Sequence, residues 1–208
     1  MKSNASNEVA LVAILRGVTP DKVAAIAQIL YEAGLRTIEV PLNSPDPFAS
    51  IETLAKLGLK DLKVGAGTVL TVEQVNRTRQ AGGRLIVSPI TKVEVIRRAL
   101  ELKLDVMPGF GTATEAFEAI AAGATDLKLF PAVTYGPRHL QALGAVLPKP
   151  ARVFAVGGVT TTGLTAWLAA GAAGIGFGSE IFRPHYSLAD IQTRAQHVVQ
   201  SLKDAQAL

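Results

Sequence analysis

Asp126-Leu127-Lys128-Leu129-Phe130-Pro131 reads as a short strand that ends at a proline. Leu127 and Leu129 alternate with Asp126, Lys128 and Phe130, so the strand has two distinct faces. A lysine between leucines is costly to bury as an ammonium and tends to lose its proton instead. The neutral amine is a nucleophile toward carbonyls. The stretch alone also allows a strand-end lysine whose ammonium snorkels to water. The rest of the chain decides the setting.

Working outward, apolar runs of strand length alternate with segments of helical period. The strands are expected at Val9–Arg16, Thr37–Pro41, Lys63–Gly67, Leu85–Ser88, Leu104–Met107, Asp126–Phe130, Arg152–Val156 and Ala173–Phe177. A helix follows each. The first opens at Thr19-Pro20-Asp21, with Thr19 as cap and Pro20 in the first turn. The sixth is expected over Pro137–Leu147 and the last over Leu188–Leu202. Eight such units, with no linker or low-complexity segment, predict an α/β fold: a (β/α)8 TIM barrel forming one domain over residues 1–208. An open doubly wound sheet usually carries a glycine-rich fingerprint after its first strand, and Arg16-Gly17-Val18-Thr19 is not one.

Composition narrows the function. With 208 residues and no cysteine, the chain has length for one substantial core and neither disulfides nor thiolate metal sites. The net charge of +4 is mild and its basic residues are scattered, which argues against nucleic acid as partner. The apolar run Val9–Leu15 is short and lacks a cleavage site behind it, and Ala166–Gly178 is too short and glycine-broken to span a bilayer. A cytoplasmic protein without membrane attachment is expected. His139, His185 and His197 have no metal-ligand spacing, and no serine sits on a nucleophile elbow.

Barrel chemistry gathers at the C-terminal strand ends. Those ends carry Arg16, Glu39, Thr68, Ser88-Pro89, Lys128 with Phe130, Val156 before Gly157-Gly158, and Gly178-Ser179. Glu39 lies between Ile38 and Val40, so its carboxylate faces the lumen, either as a general acid/base or as a partner of Arg16 or Lys128. Arg16 suits a substrate carboxylate, or a salt bridge to Glu39. Thr68 is a carboxylate donor or a turn residue. The glycine pairs after the seventh and eighth strands suit a phosphate held by bare amides.

Together, Ala13-Ile14-Leu15-Arg16-Gly17, Ile38 to Pro45, Gly65-Ala66-Gly67-Thr68-Val69-Leu70, Leu127-Lys128-Leu129-Phe130-Pro131 and Ala155-Val156-Gly157-Gly158-Val159 resemble the KDPG/KHG aldolase family over nearly the whole chain. The resemblance implies a class I, Schiff-base aldolase of a phosphorylated 2-keto-3-deoxy sugar acid, yielding pyruvate and D-glyceraldehyde 3-phosphate. It implies Lys128 as imine-forming residue and Glu39 as acid/base. It puts Arg16 and Thr68 at the pyruvate carboxylate, Pro89 and Phe130 beside the pyruvyl group, and Gly158 with Ser179 at the phosphate, with Gly157 and Gly178 of the same glycine pairs expected to line the substrate. It further implies a homotrimer needing no metal or cofactor. The loop Pro41-Leu42-Asn43-Ser44-Pro45, where gluconate enzymes tend to carry a Thr-Leu-Arg-Thr type sequence, and Val156, where they usually carry threonine, point to the galactonate-derived acid. The gluconate epimer is the nearest alternative; a phosphate-binding barrel isomerase or epimerase is a rival of another class. Ile90 and Phe110 depart from the family's usual residues and are expected at the pocket rim or the trimer contact.

Overall fold

A computed structural model describes residues 9–207; the rest of the expected domain, residues 1–8 and 208, lies outside the described residues. The strands are β1 (Ala10–Ile14), β2 (Thr37–Pro41), β3 (Lys63–Gly67), β4 (Leu85–Val87), β5 (Asp105–Met107), β6 (Gly109–Phe110), β7 (Asp126–Leu129), β8 (Arg152–Val156) and β9 (Gly174–Phe177). The helices are α1 (Pro20–Glu32), α2 (Pro47–Lys56), α3 (Val72–Gln80), α4 (Val93–Glu101), α5 (Ala113–Ala121), α6 (Ala132–Gly144), α7 (Leu164–Ala169) and α8 (Leu188–Gln206). Among the described residues, no helix is long and apolar enough to cross a membrane.

All pairings are parallel, in the order β5-β4-β3-β2-β1-β9-β8-β7-β6. β5 and β6 are two pieces of one barrel strand, interrupted at Pro108, which has no N–H to give a ladder. β5 pairs with β4 and β6 with β7, and the Lys128 amide donates to the Pro108 carbonyl at 2.8 Å. The ring therefore closes through this strand, and eight β/α units form a barrel as the spacing predicts. The fifth strand differs from expectation in reaching past Met107 to Phe110. Two other local readings are corrected. α6 begins at Ala132, directly after Pro131, and is broken at Gly136, whose φ of 75° lies outside the helical region. Thr19 occupies the cap position of α1, but its hydroxyl makes no capping bond; Pro20 alone performs the expected role in the first turn.

Strand alternation sorts the side chains into two cores. Ala13, Ile38, Val40, Leu127, Leu129, Ile175 and Phe177 face the helices in the larger core. Val12, Leu85, Val87, Met107, Phe154 and Val156 pack with Ile14 and Phe130 in the lumen. Phe110 is 2% exposed in the outer core, so it is neither rim nor contact residue, whereas Ile90 is 46% exposed. At the N-terminal mouth, Lys63 pairs with Asp105, and Arg152 grips Asp126 with two hydrogen bonds of 2.7 Å. Charge at that end is paired between strands, β8 with its neighbour β7 and β3 with β5 across β4.

Space in the lumen depends on glycine. A Cβ on Gly65 would lie 2.1 Å from the Leu85 carbonyl oxygen, and one on Gly174 would lie 2.3 Å from the Phe154 ring. Gly65→Ala must push backbone apart, because its neighbour is a strand carbonyl. We expect a loss of roughly 1–3 kcal/mol, as for other overpacked cores, read as a lower denaturant midpoint. An unchanged midpoint would mean that β3 and β4 stand further apart than described.

Candidate active site

Lys128 and Glu39 project into the lumen near its C-terminal end. Their strands dictate this: Lys128 is in register with Phe154 and Gly109, and Glu39 with Ile14 and Gly65. Lys128 is 4% exposed and Glu39 1%. The amine does not snorkel to water. Its Nζ lies 4.7 Å from the centroid of the Phe130 ring. The Glu39 carboxylate packs flush against Gly67, where a Cβ would come within 1.7 Å of Oε2, and Oε2 has no hydrogen-bond partner. Glycine at position 67 is thus a condition for the carboxylate's place.

Neither group forms an ion pair with another side chain among the described residues. Desolvation therefore dominates both titrations. Burial pushes the Glu39 carboxyl from its ordinary 4.5 up to about 7, against the opposing pull of Lys128 and Arg16. Burial holds the Lys128 amine below the ordinary lysine value; Glu39 opposes that shift and Arg16 adds to it. An amine held below its ordinary value and a carboxyl that titrates near neutrality thus share one apolar lumen.

A cleft of about 540 Å³ opens above them. It brings together Arg16, Lys128, Phe130, Val156, Gly157, Gly158, Gly178 and Ser179, eight of the residues singled out in the sequence. Gly157 and Gly158 have φ of 96° and 75°; Gly157 lets the Phe130 ring approach, at 3.0 Å from a would-be Cβ. Glu39, Thr68 and Pro89 do not line this cleft. Glu39 is buried on β2, while Thr68 and Pro89 follow β3 and β4. Thr68 holds φ of 58°, a left-handed turn that sets where its hydroxyl points.

Arg16 makes no salt bridge to Glu39. Its Nη1 donates to the Asn43 side-chain oxygen at 2.5 Å. Sequence reasoning did not single out Thr160 or Arg183, which line the cleft beside Gly158 and Ser179. Arg183 falls in the long connection after β9, where no periodicity marks a direction. Its one signal is a position five residues beyond Gly178. Among the described residues, no group of three or more His, Cys, Asp or Glu side chains could hold a metal. His139 stacks on Tyr135 and bonds the Gly111 carbonyl at 2.9 Å, a packing role.

A family model for KDPG and KHG aldolase matches residues 3–194. The chain belongs to the KDPG/KHG aldolase family. It is accordingly an aldolase, a lyase. It is 46% identical over 185 residues, 89% of this chain and 87% of the relative, to a probable 2-dehydro-3-deoxy-6-phosphogalactonate aldolase of Rhizobium meliloti. It is 44% identical over 195 residues, 94% of this chain and 95% of the relative, to 2-dehydro-3-deoxy-6-phosphogalactonate aldolase of Escherichia coli. The solved structure described as native KDPGal superposes with a TM-score of 0.94 at 43% identity, covering all of both chains.

The raised Glu39 value has a consequence for stability. The folded state holds this proton up to about pH 7, and the unfolded chain releases it near 4.5. Between those values the native state binds more protons, so its stability falls as pH rises and stays reduced above pH 7. Glu39→Gln removes the titrating group. Relative to wild type, the variant should gain stability from pH 4.5 to 7.5, by on the order of 3 kcal/mol at most. Urea unfolding at the two pH values checks this. A stability difference independent of pH would show that Glu39 is ionised in the fold well below neutrality.

Proposed function

We propose that this chain is a class I aldolase that cleaves 2-dehydro-3-deoxy-6-phospho-D-galactonate to pyruvate and D-glyceraldehyde 3-phosphate. The observation that carries this reading is the buried Lys128 amine facing the buried Glu39 carboxyl beneath a cleft bordered by Val156. The neutral Lys128 amine attacks the C2 carbonyl; a proton from Glu39 lets the C2 oxygen leave as water, so that a cationic imine and an ionised Glu39 remain. The C3–C4 bond then breaks, its electrons pass into the imine as an enamine, and the C4 hydroxyl proton goes to Glu39, directly or through a water. Glu39 returns a proton to C3, and water releases pyruvate from Lys128. The imine serves as electron sink, so the scheme calls on no metal and no cofactor.

In this scheme Arg16 and Thr68 take the substrate carboxylate, and Pro89 and Phe130 flank the pyruvyl group. The phosphate reaches the amides around Gly157, Gly158, Gly178 and Ser179. Arg183 adds a cation at that end, one that forms no ion pair among the described residues. The assembly is a homotrimer in the cytoplasm; the exposed side chains of Leu70 and Ile90, after β3 and β4, offer it an apolar contact.

Val156 supports the galacto epimer. It is 3% exposed, borders the same cleft as Lys128 and Gly158, and offers only methyl groups. A substrate hydroxyl turned toward it is desolvated without a partner, at a cost of about 1–3 kcal/mol. We expect the galactonate-derived acid to be cleaved in preference to its gluconate epimer when the two are compared side by side by pyruvate release. Lys128→Ala, the blank, should release none. Val156→Thr should move the kcat/KM ratio toward the gluconate epimer by roughly 10–100-fold. A wild-type preference for the gluconate epimer, or a ratio unmoved by the substitution, would contradict this assignment of substrate.

A further inference from the structure

Arg16, exposed at the border of the cleft, is hydrogen-bonded to a neutral partner that is also exposed. Its Nη1 donates to the Asn43 side-chain oxygen, and one residue on, the Gly17 amide donates to the Ser44 hydroxyl at 2.9 Å. Ser44 is 8% exposed, so that second bond is part of the packed rim. On the other side, Pro184 lies 2.8 Å from where a Cβ on Gly17 would sit, at a φ of 85°. The loop after β1 is thus clamped between the loop after β2 and the connection after β9. Arg16 borders the cleft; Asn43 does not. No carboxylate pairs with Arg16 among the described residues.

From this geometry we infer that Asn43 is a positioning residue that orients the Arg16 guanidinium toward the substrate carboxylate while leaving its charge unspent. The inference rests on the assignment of Arg16 to that carboxylate. An amide oxygen supplies the hydrogen bond that fixes the planar fork, and it carries no net charge to neutralise the cation. An aspartate in the same place would accept the same bond more strongly. It would also form an ion pair that competes with the substrate's own carboxylate. Position 43 therefore has to satisfy two demands at once, an acceptor of the right reach and zero charge. Asparagine meets both.

Asn43→Asp separates this role from a structural one, since the change is nearly isosteric and keeps the acceptor. A residue that merely braces the loop should tolerate it. The readout is the concentration of pyruvate that half-saturates inactivation by borohydride, measured beside methyl pyruvate, which keeps the ketone and lacks the charge. We expect Asn43→Asp to raise the half-saturating pyruvate concentration roughly tenfold, in line with a lost charge-assisted hydrogen bond. Methyl pyruvate and the thermal midpoint should be unaffected. Asn43→Ala, which frees Arg16 without neutralising it, should cost pyruvate less than the aspartate does. Wild-type pyruvate saturation in Asn43→Asp, or equal losses on both ligands, would overturn the inference. Arg16→Gln distinguishes the two layers. If it weakens pyruvate selectively while Asn43→Asp does not, only the role of Asn43 fails. If it leaves pyruvate unchanged, the carboxylate assignment fails, and the inference with it.

Discussion

Two ionisable groups are buried in one apolar lumen with no ion pair between them, and most of the site follows from that constraint. Lys128 and Glu39 are 4% and 1% exposed. In water each would be charged at neutral pH. In the lumen the cost of burying charge lowers the amine's affinity for a proton and raises the carboxyl's. A closer pair would trade that proton for a salt bridge and inactivate both. The opposite end of the same barrel shows this alternative. There Arg152 and Asp126 meet through two hydrogen bonds, and the arginine's hold on its proton is strengthened by that partner. One mouth of the barrel carries paired charge, and the other leaves the buried amine and carboxyl without an ion pair.

The glycines make this possible. Inward positions of β3 and β9 carry Gly65, Gly67, Gly174 and Gly176, so the lumen has space for Glu39, Phe154 and Val156. Without Gly67 the carboxylate could not lie where it does. The strand ends then open into one cleft lined by Lys128, Val156, Gly158 and Ser179. Such a cleft suits a substrate anionic at both ends and reactive in the middle. That matches the proposed phosphorylated keto acid.

Much of this was legible in the sequence, for a reason that also marks its limits. Alternation along Asp126 to Phe130 and Ile38 to Val40 is strict, so the inward direction of Lys128 and Glu39 could be read directly, and eight repeats of strand and helix implied the barrel. What alternation could not show was any relation across strands. The pairing of Lys63 with Asp105 needs the register of strands far apart in the chain. The hold of Asn43 on Arg16 joins two loops, where periodicity says nothing. Pro108 looked like the end of a strand, although the chain stays extended past it and changes partner. Thr19 had the right residue type for a cap, but its hydroxyl does not make the bond.

The central claim is that Lys128, alone among the lysines, carries a nucleophilic amine at neutral pH. Incubation with pyruvate and borohydride at pH 7, followed by peptide mapping in a mass spectrometer, tests it directly. The account predicts one reduced pyruvyl adduct per chain, on Lys128. An adduct on another lysine, or none under conditions that label an established Schiff-base aldolase, would contradict it.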